Sequence, residues 1–292
     1  MQLLSKAVFS CLIIFLFIQG AAIAQQDARM IPSSFSPDSI IGFLEYKPAD
    51  YGTQRHPLII FLHGRDERGN GSAGQVKFVA NNGIPKYCAT GAQMRFSYKG
   101  KASSFVVLSP QLSRQFGNWP VFYVEEMIKY AKENLQIDTN RIYITGLSLG
   151  GGGVWAAITS SPALTNSIAA AAPVCGTQDM IDSNFCKTVG ESHLPVWAFH
   201  SEDDNVVAVQ LTQHGEILAA NCKLQPAAKF TYYKNGGHAG AWINAYNTGH
   251  ISTKLANGKM YTSSPNLYEW FLSNNKRNRI SDHAATSSKT NL

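Results

Sequence analysis

Residues 141–159 read Arg-Ile-Tyr-Ile-Thr-Gly-Leu-Ser-Leu-Gly-Gly-Gly-Gly-Val-Trp-Ala-Ala-Ile-Thr. Arg141–Thr145 has the composition of a strand, and Val154–Thr159 that of a helix. Between them lies Gly146-Leu-Ser148-Leu-Gly150, a match to G-x-S-x-G in its expected setting of strand, turn and helix. A serine on so tight a turn needs unusual backbone dihedrals. Glycines two positions to either side remove the Cβ atoms that would collide with the flanking strand and helix. Ser148 is therefore the candidate nucleophile, carried above the carboxyl ends of the strands, where open α/β sheets bind ligands.

The rest of the chain supplies that sheet. Pro57-Leu-Ile-Ile-Phe-Leu62 is an unbroken apolar run, as expected of a strand buried on both faces of a parallel sheet. Phe105–Pro110, Ile168–Val174, Val196–His200 and Phe230–Tyr233 are further strands, and Ile40–Tyr46 precedes them. Helices are expected over Val121–Leu135, where Val124, Ile128 and Ala131 share a side, and over Val207–Ala220 and Leu267–Leu272. Strands alternating with helices predict an α/β domain with a mainly parallel central sheet flanked by helices.

Chain order supplies the partners of Ser148, because the acid and then the histidine follow a serine on such a turn. His238, in Asn235-Gly-Gly-His-Ala-Gly240 just past the last strand, is the candidate base, and His250 is its rival. His200 falls within a strand and His214 within a helix, which are structural settings. The acid is expected in Ser201-Glu-Asp-Asp-Asn-Val206, where spacing leaves Asp203 and Asp204 both open. An oxyanion needs preorganised donors. The backbone amide of Leu149 is one candidate. The Arg65 amide, in the loop His63-Gly64-Arg65 after the Pro57–Leu62 strand, is the other, with His63 bracing that loop. Trp119, Trp242 and Tyr246 are candidates to line a substrate subsite, against a core-packing alternative.

The termini have a different character. Lys6, the apolar run Ala7–Ile18 and Ala22-Ile23-Ala24 form the pattern of a secretory signal peptide over residues 1–24. The run is short for a membrane span. Residues 25–37 are expected to be a loose lead-in, 38–275 the catalytic domain and 276–292 a disordered tail. Export to the periplasm or the exterior would place Cys88, Cys175, Cys186 and Cys222 in an oxidising compartment. There they could form two bridges in any of three pairings, or remain buried thiols. No C-x-x-C pair suggests zinc. The net charge of +6 comes without a basic stripe interleaved with aromatics, so it predicts no nucleic-acid partner. No membrane partner is expected once the leader is removed.

Several segments together resemble the α/β-hydrolase superfamily, and within it secreted esterases of the polyhydroxybutyrate-depolymerase and feruloyl-esterase type, with their "predicted peptidase" relatives. They are Phe61-Leu-His-Gly64 with Glu67-Arg68-Gly69, Ser109-Pro110-Gln111 with Trp119, Ile137–Gly151, Pro195–His200, Gly237-His238 and Leu267-Tyr-Glu-Trp-Phe271. The resemblance implies a serine esterase. The family pattern His-Gly-x-x-Asp-x-x-Val falls on His200–Val207 and makes Asp204 the acid. Ser201 stands where glycine is usual, and Trp242 lies four positions after the histidine rather than three. Only about 20 residues separate the strand ending near Val174 from that starting at Val196, so little or no lid is expected. The expected activity is hydrolysis of carboxylic esters, above all acyl esters of carbohydrate or of other bulky or polymer-linked molecules, with small-molecule esters also open and no metal or organic cofactor. A serine peptidase and a non-catalytic binding module on the same fold are the alternatives.

Overall fold

Leu58, Ile60 and Leu62 point into one hydrophobic cluster and Ile59 and Phe61 into another. Apolar side chains on both faces are what an unbroken run such as Pro57–Leu62 requires. The computed structural model describes residues 24–36, 39–177, 184–247, 251–254, 260–263, 265–277 and 279. In chain order its strands and helices begin with β1 (Gln25–Pro32), β2 (Ile40–Lys47) and β3 (His56–Leu62). Two short helices, α1 (Ala73–Val76) and α2 (Gly83–Ala89), and a hairpin of β4 (Arg95–Tyr98) and β5 (Lys101–Ser104) lead to β6 (Val106–Pro110). Then come α3 (Phe122–Asn134), β7 (Ile137–Leu147), α4 (Leu149–Ser160), α5 (Pro162–Ser167), β8 (Ala170–Val174) and β9 (Trp197–Ser201). The chain continues through α6 (Gln210–Asn221), β10 (Lys229–Tyr233), α7 (Gly237–Ala245), a hairpin of β11 (Ile251–Lys254) and β12 (Met260–Ser263), and α8 (Leu267–Ser273).

Eight strands form one sheet in the order β1-β2-β6-β3-β7-β8-β9-β10. β1/β2 and β2/β6 are antiparallel, and every later pairing is parallel. Residues of α3, α4 and α6 pack on the face that holds Leu58 and Ile60. Residues of α2, α7 and α8 pack on the face that holds Ile59 and Phe61. β3, β7, β8 and β9 thus end together at one edge of the sheet, and the loops that follow them meet there. This is the mainly parallel, helix-flanked α/β architecture expected from the sequence.

The structure corrects the expected ends of the domain. Residues 25–32 are not a loose lead-in but the edge strand β1, paired with β2 from Gln25↔Lys47 to Pro32↔Ile40. An edge strand has one partner and two largely wet faces, so it shows no apolar alternation to read. Its Asp27, Arg29 and Pro32 are the charges and proline that keep an edge from pairing further. Arg29 also reaches inward to buried Glu45 at 3.1 Å. At the other end the domain runs past 275, because Arg279 donates to the Ile168 carbonyl at 3.1 Å. Residues 280–292 and, apart from Ala24, the expected leader lie outside the described residues.

Two element boundaries also differ. The helix after Ser148 begins at Leu149, not near Val154, and β7 begins at Ile137. The glycines that open α4 let it press against the sheet; a Cβ on Gly151, for instance, would come 2.5 Å from the Val174 carbonyl oxygen. No helix among the described residues is long and apolar enough to cross a membrane.

The cysteines divide. Cys186 and Cys222 form a disulfide that ties the turn before β9 to the end of α6, while Cys88 and Cys175 are buried free thiols. The bridge closes a loop of 36 residues, for which chain entropy sets a stabilisation of about 4 kcal/mol, with about 2–4 kcal/mol typical in practice. Replacing both cysteines with alanine is expected to lower the unfolding free energy by about 2–4 kcal/mol in urea titrations. An unchanged midpoint and slope would show that the bridge constrains nothing.

Candidate active site

Ser148 is the one residue between β7 and α4, and its backbone has φ 53° and ψ −119°. For a residue with a Cβ this is a strained conformation, and the packing around it leaves no alternative. A Cβ on Gly146 would lie 2.5 Å from the Gly150 carbonyl oxygen, and one on Gly150 would overlap the Leu62 carbonyl. The Ser148 amide donates to the Val174 carbonyl at 3.0 Å, which ties the turn to β8.

His238 comes from the first turn of α7, not from a loop as the sequence suggested. Its Nδ1 lies 2.6 Å from Asp204 Oδ2 and its Nε2 lies 2.9 Å from Ser148 Oγ. Burial works against the Asp204 carboxylate, but hydrogen bonds from His238 and from the Val207 and Val206 amides outweigh it and hold the carboxyl below its ordinary range. An ionised carboxylate only accepts. Nδ1 therefore carries the imidazole proton, and Nε2 is left to accept from the Ser148 hydroxyl. A basic nitrogen is thus aimed at a hydroxyl, the geometry in which proton removal makes oxygen nucleophilic.

Of the two aspartates that spacing left open, Asp204 is the one on His238. Asp203 turns the other way and accepts from the amides of Gly236 at 3.1 Å and Gly237 at 2.8 Å. These two glycines have φ of 136° and 59°, so Asp203 anchors the bend that launches α7. His250 lies outside the described residues.

The His63-Gly64-Arg65 loop passes directly over the turn, since a Cβ on Gly64 would sit 3.7 Å from that of Ser148. Leu149 and Arg65 follow these two neighbours, and neither backbone amide donates to another group among the described residues. The loop is held from below. His63 Nδ1 donates to the Gly64 carbonyl at 2.6 Å, and its Nε2 accepts from the Leu112 amide at 2.9 Å. Burial pushes the imidazole down to about 4, against the hydrogen bond to Gly64 and with help from Arg68. His63 is therefore a neutral brace, as its place in the sequence suggested. Gln111 adds a clasp, donating to the carbonyls of Glu67 and Gln75 and accepting from the Gly71 amide. Buried Glu67 accepts from Asn82 Nδ2, and burial pushes its carboxyl up. Gln111 and Glu67 lie in motifs that carried the family resemblance, but their roles depend on partners brought from other segments, backbone groups for Gln111 and the Asn82 side chain for Glu67.

The three aromatic candidates separate. Trp119 is 3% exposed and Tyr246 is fully buried, so neither lines a subsite. Trp119 Nε1 donates to the His63 carbonyl at 3.1 Å. The Tyr246 hydroxyl meets Thr145 Oγ1 at 3.0 Å beneath the turn. Both are supports, placed there because large rings fill space under the loops. Trp242 is half-buried, and its ring stands edge-on to His238 with centroids 5.0 Å apart. Its four-residue offset is one turn of α7, which puts both rings on the same face. Among the described residues one group of possible metal donors comes together, Cys175, Asp204 and His238 within 4.8 Å. Two of these three already bond to one another.

The strand order and the serine turn between β7 and α4 define an α/β-hydrolase. The chain matches the phospholipase/carboxylesterase family over residues 50–242 and belongs to it. It is 26% identical to a thermostable esterase of known structure, with a TM-score of 0.58 over 86% of this chain and 63% of that one. A ferulic acid esterase has the same fold, with a TM-score of 0.53 and 16% identity over 74% of this chain and 92% of that one. Over 160 residues the chain is 24% identical to a bifunctional acetylxylan esterase/xylanase of Neocallimastix patriciarum. That stretch is 53% of this chain but only 20% of the relative, so the match spans about a fifth of that protein.

The depressed imidazole of His63 has a consequence for stability. The unfolded chain takes up this proton near about pH 6.5, the folded protein only near 4. Between those values the unfolded state binds more protons, so stability is intact above the unfolded value and is lost as pH falls towards 4. Burial also depresses His200, which acts in the same direction. His63→Gln is expected to flatten urea-derived stability against pH between about 6.5 and 4, by up to one proton per molecule. Parallel curves for the two proteins would rule out His63 as a source of the slope.

Proposed function

We propose that this chain is a carboxylic ester hydrolase in which Ser148 is the nucleophile, His238 the general base and Asp204 the orienting acid. One observation carries the reading: two consecutive hydrogen bonds, 2.9 and 2.6 Å long, join Ser148 Oγ to His238 and His238 to Asp204. Family membership and the esterases among its relatives support the same class of reaction.

His238 Nε2 takes the hydroxyl proton as Ser148 Oγ bonds to the ester carbonyl carbon. The carbonyl oxygen becomes an oxyanion, received by the amides of Leu149 and Arg65. The protonated His238 then gives its proton to the departing alkoxide, leaving an acyl group on Ser148. Water repeats the sequence and releases the acid. Asp204 stays ionised throughout and holds the ring in the tautomer the mechanism needs.

For substrate we propose acyl esters of carbohydrate or of other bulky or polymeric molecules, acted on outside the cytoplasm. Three observations support this. The N-terminal pattern is that of an export signal. The Cys186–Cys222 bridge suits an oxidising compartment. A stretch related to this chain occurs in a protein that pairs acetylxylan esterase with xylanase.

The test is a panel of p-nitrophenyl esters and acetylated xylan oligosaccharides, set against peptide anilides. The esters are expected to turn over and the anilides not; the reverse would favour a peptidase. On p-nitrophenyl acetate, Ser148→Ala, His238→Ala and Asp204→Asn should each lower kcat by a factor of about ten thousand or more with the fold intact. Any of the three within tenfold of the parent would remove that residue from the mechanism.

A further inference from the structure

The Asp204 carboxylate has more partners than the mechanism requires. Oδ1 accepts from the amides of Val206 and Val207, both at 2.9 Å. Oδ2 faces His238 Nδ1 at 2.6 Å and, on its other side, His200 Nε2 at 3.1 Å. His200 is the fourth residue of β9 and fully buried. It is therefore a second imidazole on the same oxygen.

The surroundings of His200 fix its protonation. Its Nε2 faces two oxygens that can only accept, the Val207 carbonyl at 2.9 Å and Asp204 Oδ2 at 3.1 Å. A ring nitrogen in that position must carry the hydrogen, which bonds the Val207 carbonyl and leaves the N–H against Asp204 Oδ2 beside it. Nδ1 faces Thr212 Oγ1 at 2.7 Å, and a hydroxyl can donate to it. Burial pushes the imidazolium down, against the hydrogen bond to Val207 and the charge of Asp204. The ring is thus neutral, in one tautomer, and locked between β9 and α6.

We propose that His200 is a positioning residue for the reaction, holding Asp204 Oδ2 in the place where it meets His238. This rests on the assignment of Ser148, His238 and Asp204 given above. The amides fix one oxygen of the carboxylate, and His200 fixes the other. When the ring of His238 shifts between Ser148 and a leaving group, Oδ2 keeps a donor and the carboxylate does not swing after it. The same contact offsets part of the charge of Asp204. The titratable groups facing Asp204 are His238 from α7, His200 from β9 and the Cys175 thiol from the loop after β8. Burial pushes that thiol up, so it stays uncharged.

The experiment compares His200→Leu with His200→Gln, whose amide can still present a donor near the Nε2 position. Turnover of p-nitrophenyl acetate is measured per site titrated with a fluorophosphonate, so unfolded protein is not counted. His200→Leu is expected to lower kcat about tenfold to a hundredfold with KM within about twofold. The acid limb of its kcat profile should move to higher pH, because an Asp204 carboxylate that has lost the N–H beside it protonates more readily. His200→Gln should recover most of kcat and return the limb towards its original place. Equal losses in both variants with no movement of the limb would make His200 a packing residue and overturn the proposal. Ser148→Ala serves as the control, with its turnover given per folded chain from near-ultraviolet circular dichroism. If it retains turnover the assignment of the site fails, whereas an inactive Ser148→Ala beside a fully active His200→Leu defeats this inference alone. For the case in which His200→Leu does not fold, nitrogen-15 imidazole spectra of the unmodified protein give a second reading. His200 must stay neutral with its proton on Nε2 from pH 7 to 9; a proton on Nδ1, or titration within that range, contradicts the proposal.

Discussion

Everything at the carboxyl edge of the sheet depends on how closely the turn at Ser148 approaches the end of β3. A Cβ on Gly150 would overlap the Leu62 carbonyl, and one on Gly146 would meet the Gly150 carbonyl. This contact, open only to glycine, forces Ser148 to φ 53°, turns its hydroxyl away from the sheet and puts it beside Gly64. The strain, of order 1–3 kcal/mol at such a residue, is offset by the packing of α4 against β7 and β8. A bulkier residue at either glycine would not merely weaken the site. It would separate the serine from the loop that carries the Arg65 amide.

Burial then sorts three imidazoles into different roles. His63 and His200 are fully enclosed, each with a donor and an acceptor on opposite nitrogens, and desolvation keeps both neutral. His238 keeps 14% of its side chain exposed and points one nitrogen at a hydroxyl. It is the one of the three that both contacts a hydroxyl and reaches solvent. The two enclosed rings act as rigid connectors, His63 under the loop after β3 and His200 behind the acid.

The sheet was legible because its central strands are buried on two faces, which leaves long apolar runs such as Pro57–Leu62. The turn at Ser148 was legible because Gly146 and Gly150 admit a backbone approach closed to any Cβ, and the bend before His238 because Gly236 and Gly237 take positive φ. β1 was not, since an edge strand with wet faces is written in Gln, Asp and Arg. Spacing could not choose between Asp203 and Asp204, because both carboxylates accept hydrogen bonds from the α7 region and only three-dimensional direction separates them. For Trp119 and Tyr246 the sequence left subsite and core packing both open for a related reason. Proximity to a site along the chain does not distinguish a ring that faces the substrate from one that supports the loop beneath it.

The central claim is that Ser148 Oγ is the activated nucleophile, and covalent capture tests it without reference to any substrate. The protein is treated with a fluorophosphonate at neutral pH and digested, and the adduct is located by mass spectrometry. One adduct per chain is expected, on Ser148 Oγ, and it should be absent from Ser148→Ala. Labelling at another residue, or labelling of Ser148→Ala as strong as that of the unmodified protein, would contradict the account.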